Sequence, residues 1–180
     1  MPSIPRLEQP MMGDRVGLRM AAERDIPEIL IAHQDDPELH ARLGLERSPS
    51  GAELGVQMEV ADRERESGVR VRLTVIEPGS DECRGRISVH SIDWDSGRAE
   101  LGMWLAPQAR GRGLAPAALR LAAGWLFDNC NLERVELLTE PDNQPMLRAA
   151  RAAGFSEQGM KRRSEVDMIV MSLRRDELQS

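Results

Sequence analysis

The spacing of the apolar residues switches from a period of two to a helical period across one glycine-rich stretch, and this switch constrains the fold more than any other feature of the chain. Before it, residues 99–105 alternate as a strand with Glu100, Gly102 and Trp104 on one face, and Pro107 ends the element. After it, Leu114, Ala118, Leu121, Ala122 and Trp125 recur at helical spacing up to Cys130, which predicts the longest helix of the chain. The connection reads Gln108-Ala109-Arg110-Gly111-Arg112-Gly113-Leu114-Ala115. N–H groups at a helix start lack intrahelical acceptors, and glycines let a backbone turn tightly and approach a ligand closely. Arg110 and Arg112 add positive potential to that of the helix dipole, so the stretch suits an anion of the size of a pyrophosphate.

The remaining pattern surrounds this unit. Residues 1–13 carry Pro2, Pro5 and Pro10 without any period and are expected to form a flexible N-terminal arm, with residues 14–180 as a single domain. Val16, Leu18 and Met20 alternate as a strand, and Asp25 and Pro27 then open a helix through Ile29, Leu30 and Ala32. Ser50 opens a second helix towards Gly68, and Val69, Val71, Leu73 and Val75 alternate as the next strand. Ile87 and Val89 lie on a third strand, joined to the arm that starts at Ala99 by the turn residues Asp95-Ser96-Gly97. Val135 and Leu137 form a strand ending at Pro141. Asp142 or Asn143 caps a helix with Pro145 in its first turn and Gly154 at its end, and residues 155–160 and 166–173 make a terminal hairpin. Strand, two helices, three strands, helix, strand, helix and two strands describe an α/β or α+β chain with a mixed sheet.

Composition excludes several functions. Basic residues number 24 against 30 acidic ones, a formal net charge of −6 that disfavours nucleic acid as a partner. Aromatics are 3 % of the chain, too few for base-stacking platforms. No apolar run is long enough for a membrane span or a signal peptide, so the expectation is a cytoplasmic protein without a membrane partner. Cys83 and Cys130 lack the paired spacing of a zinc site and read as free thiols, and His33, His40 and His90 are scattered, so no metal is expected.

The phosphate cradle can be narrowed. A nucleoside-triphosphate loop needs Gly-Lys followed by Ser or Thr, but Gly113 is followed by Leu114; the dinucleotide fingerprint needs a third glycine where Pro116 stands. Gln-x-x-Gly-x-Gly-x-Ala after a strand instead resembles the coenzyme A signature of the GNAT superfamily of N-acetyltransferases. Asp14-Arg15-Val16-Gly17-Leu18-Arg19 with Asp25 resembles the opening strand and helix of that family, and Glu100-Leu101-Gly102-Met103-Trp104-Leu105 its fourth strand. Asn143, ahead of a helix ending in Gly154-Phe155, is similar to the RimJ/RimL-type branch, which modifies protein N-termini.

The resemblance implies a mixed, mostly antiparallel sheet, flanked by helices and splayed between its fourth and fifth strands. It implies acetyl-CoA as cosubstrate, its pantetheine on the backbone of Trp104 and Leu105 and its pyrophosphate on the amides of residues 110–115. Gln108 then stands at the loop entrance and Asn143 near the thioester. It further implies direct attack by a primary amine, from a protein N-terminus or a small molecule, in a ternary complex, and homodimers are common in this branch. Glu100 matches a glutamate common on this strand and is either the acceptor of the amine's proton or an ion-paired strand residue.

Other positions depart from the family or are less specific. The chain has no tyrosine to serve as general acid, and Met146 stands where many RimJ/RimL-type sequences have serine; Ser156 and Cys130 are the substitutes within the chain. Arg148 and Arg151 are candidates for the 3′-phosphate of the coenzyme, and the acidic excess between Glu53 and Glu66 for a cationic acceptor, each against the alternative of a solvated helix face. The missing proton donors motivate a second reading, a GNAT-fold module that binds acyl-CoA as a sensor or partner with little turnover.

Overall fold

A computed structural model describes residues 2–178. Among the described residues eight strands form one sheet in the order β1-β2-β3-β4-β5-β6-β8-β7. In chain order these are β1 (Met11–Met12), β2 (Gly17–Met20), β3 (Val71–Ile76), β4 (Gly85–Asp93), β5 (Arg98–Leu105), β6 (Arg134–Thr139), β7 (Ser156–Arg163) and β8 (Val166–Arg174). The helices are α1 (Ile26–Asp35), α2 (Leu39–Arg42), α3 (Gly51–Glu66), α4 (Leu114–Asn129), α5 (Gln144–Ala152) and α6 (Arg175–Leu178). All strand pairs are antiparallel except β5 with β6, which are joined by a crossover through α4 and run parallel.

Alternation along β5 divides the interior into two layers. Ala99, Leu101, Met103 and Leu105 enter the larger cluster, which also contains Leu119, Leu126 and Phe127 of α4 and Leu147 of α5. Trp104 points the other way, into a smaller cluster with Ile29, Ala32, Leu39, Leu54 and Cys83 beneath α1, α2 and α3. Local chemistry supports the elements. Ser50 and Glu53 exchange side-chain-to-backbone bonds of 3.1 Å in a capping box at the start of α3. Asp93 accepts from the amides of Asp95 and Ser96 in the turn between β4 and β5.

The first residues differ from the flexible arm expected. Ile4 is completely buried, its N–H donates to the Arg65 carbonyl at 3.0 Å, and Arg65 donates back to the Ile4 carbonyl at 2.8 Å. Met11 and Met12 pair with Leu18 and Gly17 as an edge strand. Burial of one isoleucine, worth about 1.5–3 kcal/mol, is a sufficient reason for an aperiodic segment to dock. Counting β1, the fourth and fifth strands of the sequence reading are β5 and β6.

Candidate active site

The parallel ladder between β5 and β6 is short. It runs from Arg98 opposite Arg134 to Leu101 opposite Leu137 and stops. Beyond it β5 stays paired with β4 as far as Leu105 opposite Gly85, and β6 stays paired with β8 as far as Thr139 opposite Ile169. The two strands therefore diverge, and among the described residues no strand covers the inner edge of residues 102–105. Unpaired strand N–H and C=O groups are a template for an extended ligand. The Leu105 carbonyl on this edge accepts from Arg110 Nε at 3.0 Å.

The open edge leads into the glycine loop. Residues 107–109 form a 3₁₀ turn, Gly111 and Gly113 sit at φ +74° and +75°, and α4 begins at Leu114 with Gly113 as a cap that has no side chain to satisfy the first amides. The polar side chains of the loop are tied to the rest of the domain. Gln108 donates to Asp35 at 2.9 Å, Arg110 to Asp36 at 2.7 Å, and Arg112 to both oxygens of Glu77 at 2.6 and 3.2 Å. Burial works against ionisation of Asp36, but the Arg110 bond prevails and holds its carboxyl below the usual range. The Arg112 guanidinium likewise lowers Glu77. The two arginines thus brace the loop and have their charge partly offset, leaving helix-start amides as its least satisfied groups.

On the face toward α1–α3, Glu100 is 8 % exposed and held by Arg163 through two bonds of 2.5 and 2.9 Å. Burial pushes its carboxyl up, but Arg163, with His90 and Lys161, outweighs this and keeps it below the usual carboxylate range. Ser88 and His90 of β4 flank Gly102: a Cβ there would lie 3.1 Å from Ser88 Oγ and 3.6 Å from His90 Nε2. In the sequence His90 reads only as one of three scattered histidines and Ser88 as an ordinary strand residue, because their place beside Gly102 is set by the register of the β4–β5 hairpin. Arg86, two pairs further along opposite Trp104, is 7 % exposed; Nη1 donates to Gln57 at 3.3 Å while Nε and Nη2 have no hydrogen-bond partner among the described residues. A buried guanidinium this poorly compensated costs stability. Arg86→Met should therefore raise the urea unfolding midpoint, by the equivalent of at least about 1 kcal/mol.

Asn143 caps α5, its Oδ1 accepting from the Met146 amide at 3.4 Å, directly after the diverging end of β6. Arg148 and Arg151 are exposed and form no ion pair among the described residues. The acids of α3 are largely matched by arginines, Glu53 by Arg47, Asp62 by Arg6 and Glu64 by Arg70 and Arg72, which removes most of the acidic excess. Burial pushes the thiols of Cys83 and Cys130 up to about 11, and Ser156 is exposed at the start of β7. Among the described residues no group of three or more His, Cys, Asp or Glu could hold a metal, and no helix is long and apolar enough to cross a membrane.

The model of the acetyltransferase (GNAT) domain family matches residues 15–156, a span that contains the splayed strands and the glycine loop. The chain belongs to the GNAT family. It is an N-acetyltransferase, and GNAT enzymes use acetyl-CoA as cosubstrate. N-acetyltransferase p20 of Bacillus licheniformis, itself uncharacterised, is 25 % identical over 166 residues, covering 89 % of this chain and 93 % of the relative. YdaF of Bacillus subtilis, which by name is a candidate ribosomal N-acetyltransferase, is 26 % identical over 157 residues, covering 84 % and 83 %. The fold superposes on RimJ of Mycobacterium smegmatis in complex with CoA-disulfide with a TM-score of 0.81, at 22 % identity over 92 % of this GNAT chain and 84 % of the other.

Proposed function

We propose that this enzyme transfers the acetyl group of acetyl-CoA to a primary amine, a protein N-terminus or a small amine, by direct attack in a ternary complex in the cytoplasm. One observation carries the reading: β5 loses its β6 partner after Leu101, and the edge exposed there leads into a loop whose helix-start amides are uncapped. The backbone of Trp104 and Leu105 would hold the pantetheine arm. The amides of residues 110–115 would hold the pyrophosphate, with Gln108 and Arg110 bracing the loop and Asn143 bordering the far side of the opening. The name of YdaF supports a ribosomal protein as acceptor. A peptide α-amine, with an ordinary pKa of about 7.7–8.0, also needs less help to lose its proton than a lysine at about 10.4.

A second reading, an acyl-CoA-binding module with little turnover, is favoured by the engagement of Glu100 with Arg163 and by the absence of tyrosine. Release of free thiol from acetyl-CoA, followed with a panel of N-terminal peptides and small amines and checked by acceptor mass, separates the two. Amine-dependent release with acetylated product is the expected result. Saturable coenzyme binding without release across the panel would replace transfer with the sensor reading.

A further inference from the structure

We propose that His90 takes the proton from the acceptor amine, an assignment that rests on the transfer reading above. Gly102 is the first residue of β5 beyond the last β5–β6 pair, at the closed end of the opening toward which the pantetheine path proposed above runs. The missing Cβ of Gly102 leaves space there, and His90 Nε2 stands 3.6 Å from where that Cβ would be. His90 is also the last regular partner of Glu100 before a bulge that runs to Asp93, and the next residue, Ser91, sits at φ +49°. Bulges of this kind re-aim a side chain at the end of a ladder. His90 Nδ1 lies 3.2 Å from Ser91 Oγ. With the proton on Nδ1 and donated to that hydroxyl, Nε2 is left as an acceptor beside the space over Gly102.

The charges around the ring suit the task. Glu100 faces it from β5, Arg163 from β7, and Arg70 and Arg72 from the β3 side. Burial is the largest influence and, with the three arginines, outweighs Glu100, so the imidazole is neutral at pH 7 and ready to accept. Glu100 is poorly suited to be the base itself because both its oxygens are bound by Arg163. Its charge instead steadies the imidazolium formed when His90 is protonated, which makes it a positioning residue.

An ammonium acceptor gives one proton to His90 Nε2; the freed nitrogen lone pair attacks the thioester carbon, forming the C–N bond. Collapse breaks the C–S bond, the electron pair leaves on sulfur, and the second nitrogen proton passes to the thiolate. The products are an amide and free CoA thiol, and His90 returns its proton to solvent.

The test measures kcat against pH at saturating acetyl-CoA for the wild type and His90→Gln, with acetyl-CoA affinity measured on both. Glutamine keeps a polar side chain but cannot accept the proton. The expected result is a fall in kcat of about 100-fold at pH 7. The ascending acid limb of the wild-type profile should disappear and coenzyme affinity should stay within about twofold. Partial recovery of His90→Ala by added imidazole is the second expected result. A retained limb with kcat within about threefold, or a loss of affinity matching the loss of kcat, would overturn the assignment. Absence of amine-dependent thiol release by the wild type would instead overturn the transfer reading, and His90 with it.

Discussion

Gly113→Val should weaken acetyl-CoA binding by about 100-fold or more, the equivalent of at least about 2.7 kcal/mol, when titrated by calorimetry. Gly113 holds φ +75° at the point where the loop becomes α4, and among the described residues a Cβ would have only Arg15 Nη1, at 3.7 Å, as a near neighbour. Space is therefore available, and the penalty comes from the backbone. A β-branched residue is strongly disfavoured at positive φ, at a cost of about 1–2 kcal/mol. Relaxation toward negative φ would swing the first amides of α4 away from the anion, and each charge-assisted bond lost from a phosphate oxygen is worth about 1.5–3 kcal/mol. Unfolding in urea separates the contributions: stability should fall by only about 1–2 kcal/mol, since Gly113 itself belongs to neither apolar cluster.

The largest loss of stability should follow Asp25→Ala. Arg19 and Asp25 form an ion pair whose side chains are 6 % and 2 % exposed, with bonds of 2.6 and 3.1 Å. Asp25 also accepts from Thr74 Oγ1 at 2.6 Å and from the Ala22 amide at 3.0 Å, joining the start of α1 to β2 and β3. Removing the carboxylate leaves a buried guanidinium whose other ionic partner, Asp81, is largely solvated. Breaking such a pair costs about 3–5 kcal/mol. The effect has a defined pH dependence. Burial raises the Asp25 carboxyl, but Arg19, Thr74 and Ala22 together bring it below its ordinary value. A carboxylate lowered in the folded state contributes its full stability above the unfolded pKa, near 3.9, and loses it as pH falls through the folded value. The gap in urea midpoint between wild type and Asp25→Ala should thus be widest at neutral pH and close below about pH 4.

How much was legible in the sequence depended on whether the signal was local. The β5–loop–α4 unit was readable because its apolar period changes and its glycines fall at the turn, and the structure has those elements within a few residues of the reading. The N-terminal segment was not, because one docked isoleucine and a two-residue edge strand leave no period. The four-residue α2 has the same problem. At the site, residues within one element were found and partners across elements were not. The alternatives for Glu100 turn on Arg163, 63 positions away, and the braces of the loop arginines, Asp36 and Glu77, lie 74 and 35 positions away. His90 looked isolated because its neighbours are set by hairpin register, and the bulge after it makes residue counting from the turn fail.

On the function proposed above, the opening between β5 and β6, with the loop that follows it, is a coenzyme A site. Calorimetric titration of the wild-type protein with acetyl-CoA, alongside Gly113→Val, tests it most directly. Saturable binding of one acetyl-CoA per chain, lost in the variant while its unfolding transition remains cooperative, is the predicted result. No binding by the wild type, or binding unchanged in Gly113→Val, would contradict the claim and leave residues 108–115 as a glycine turn before a helix.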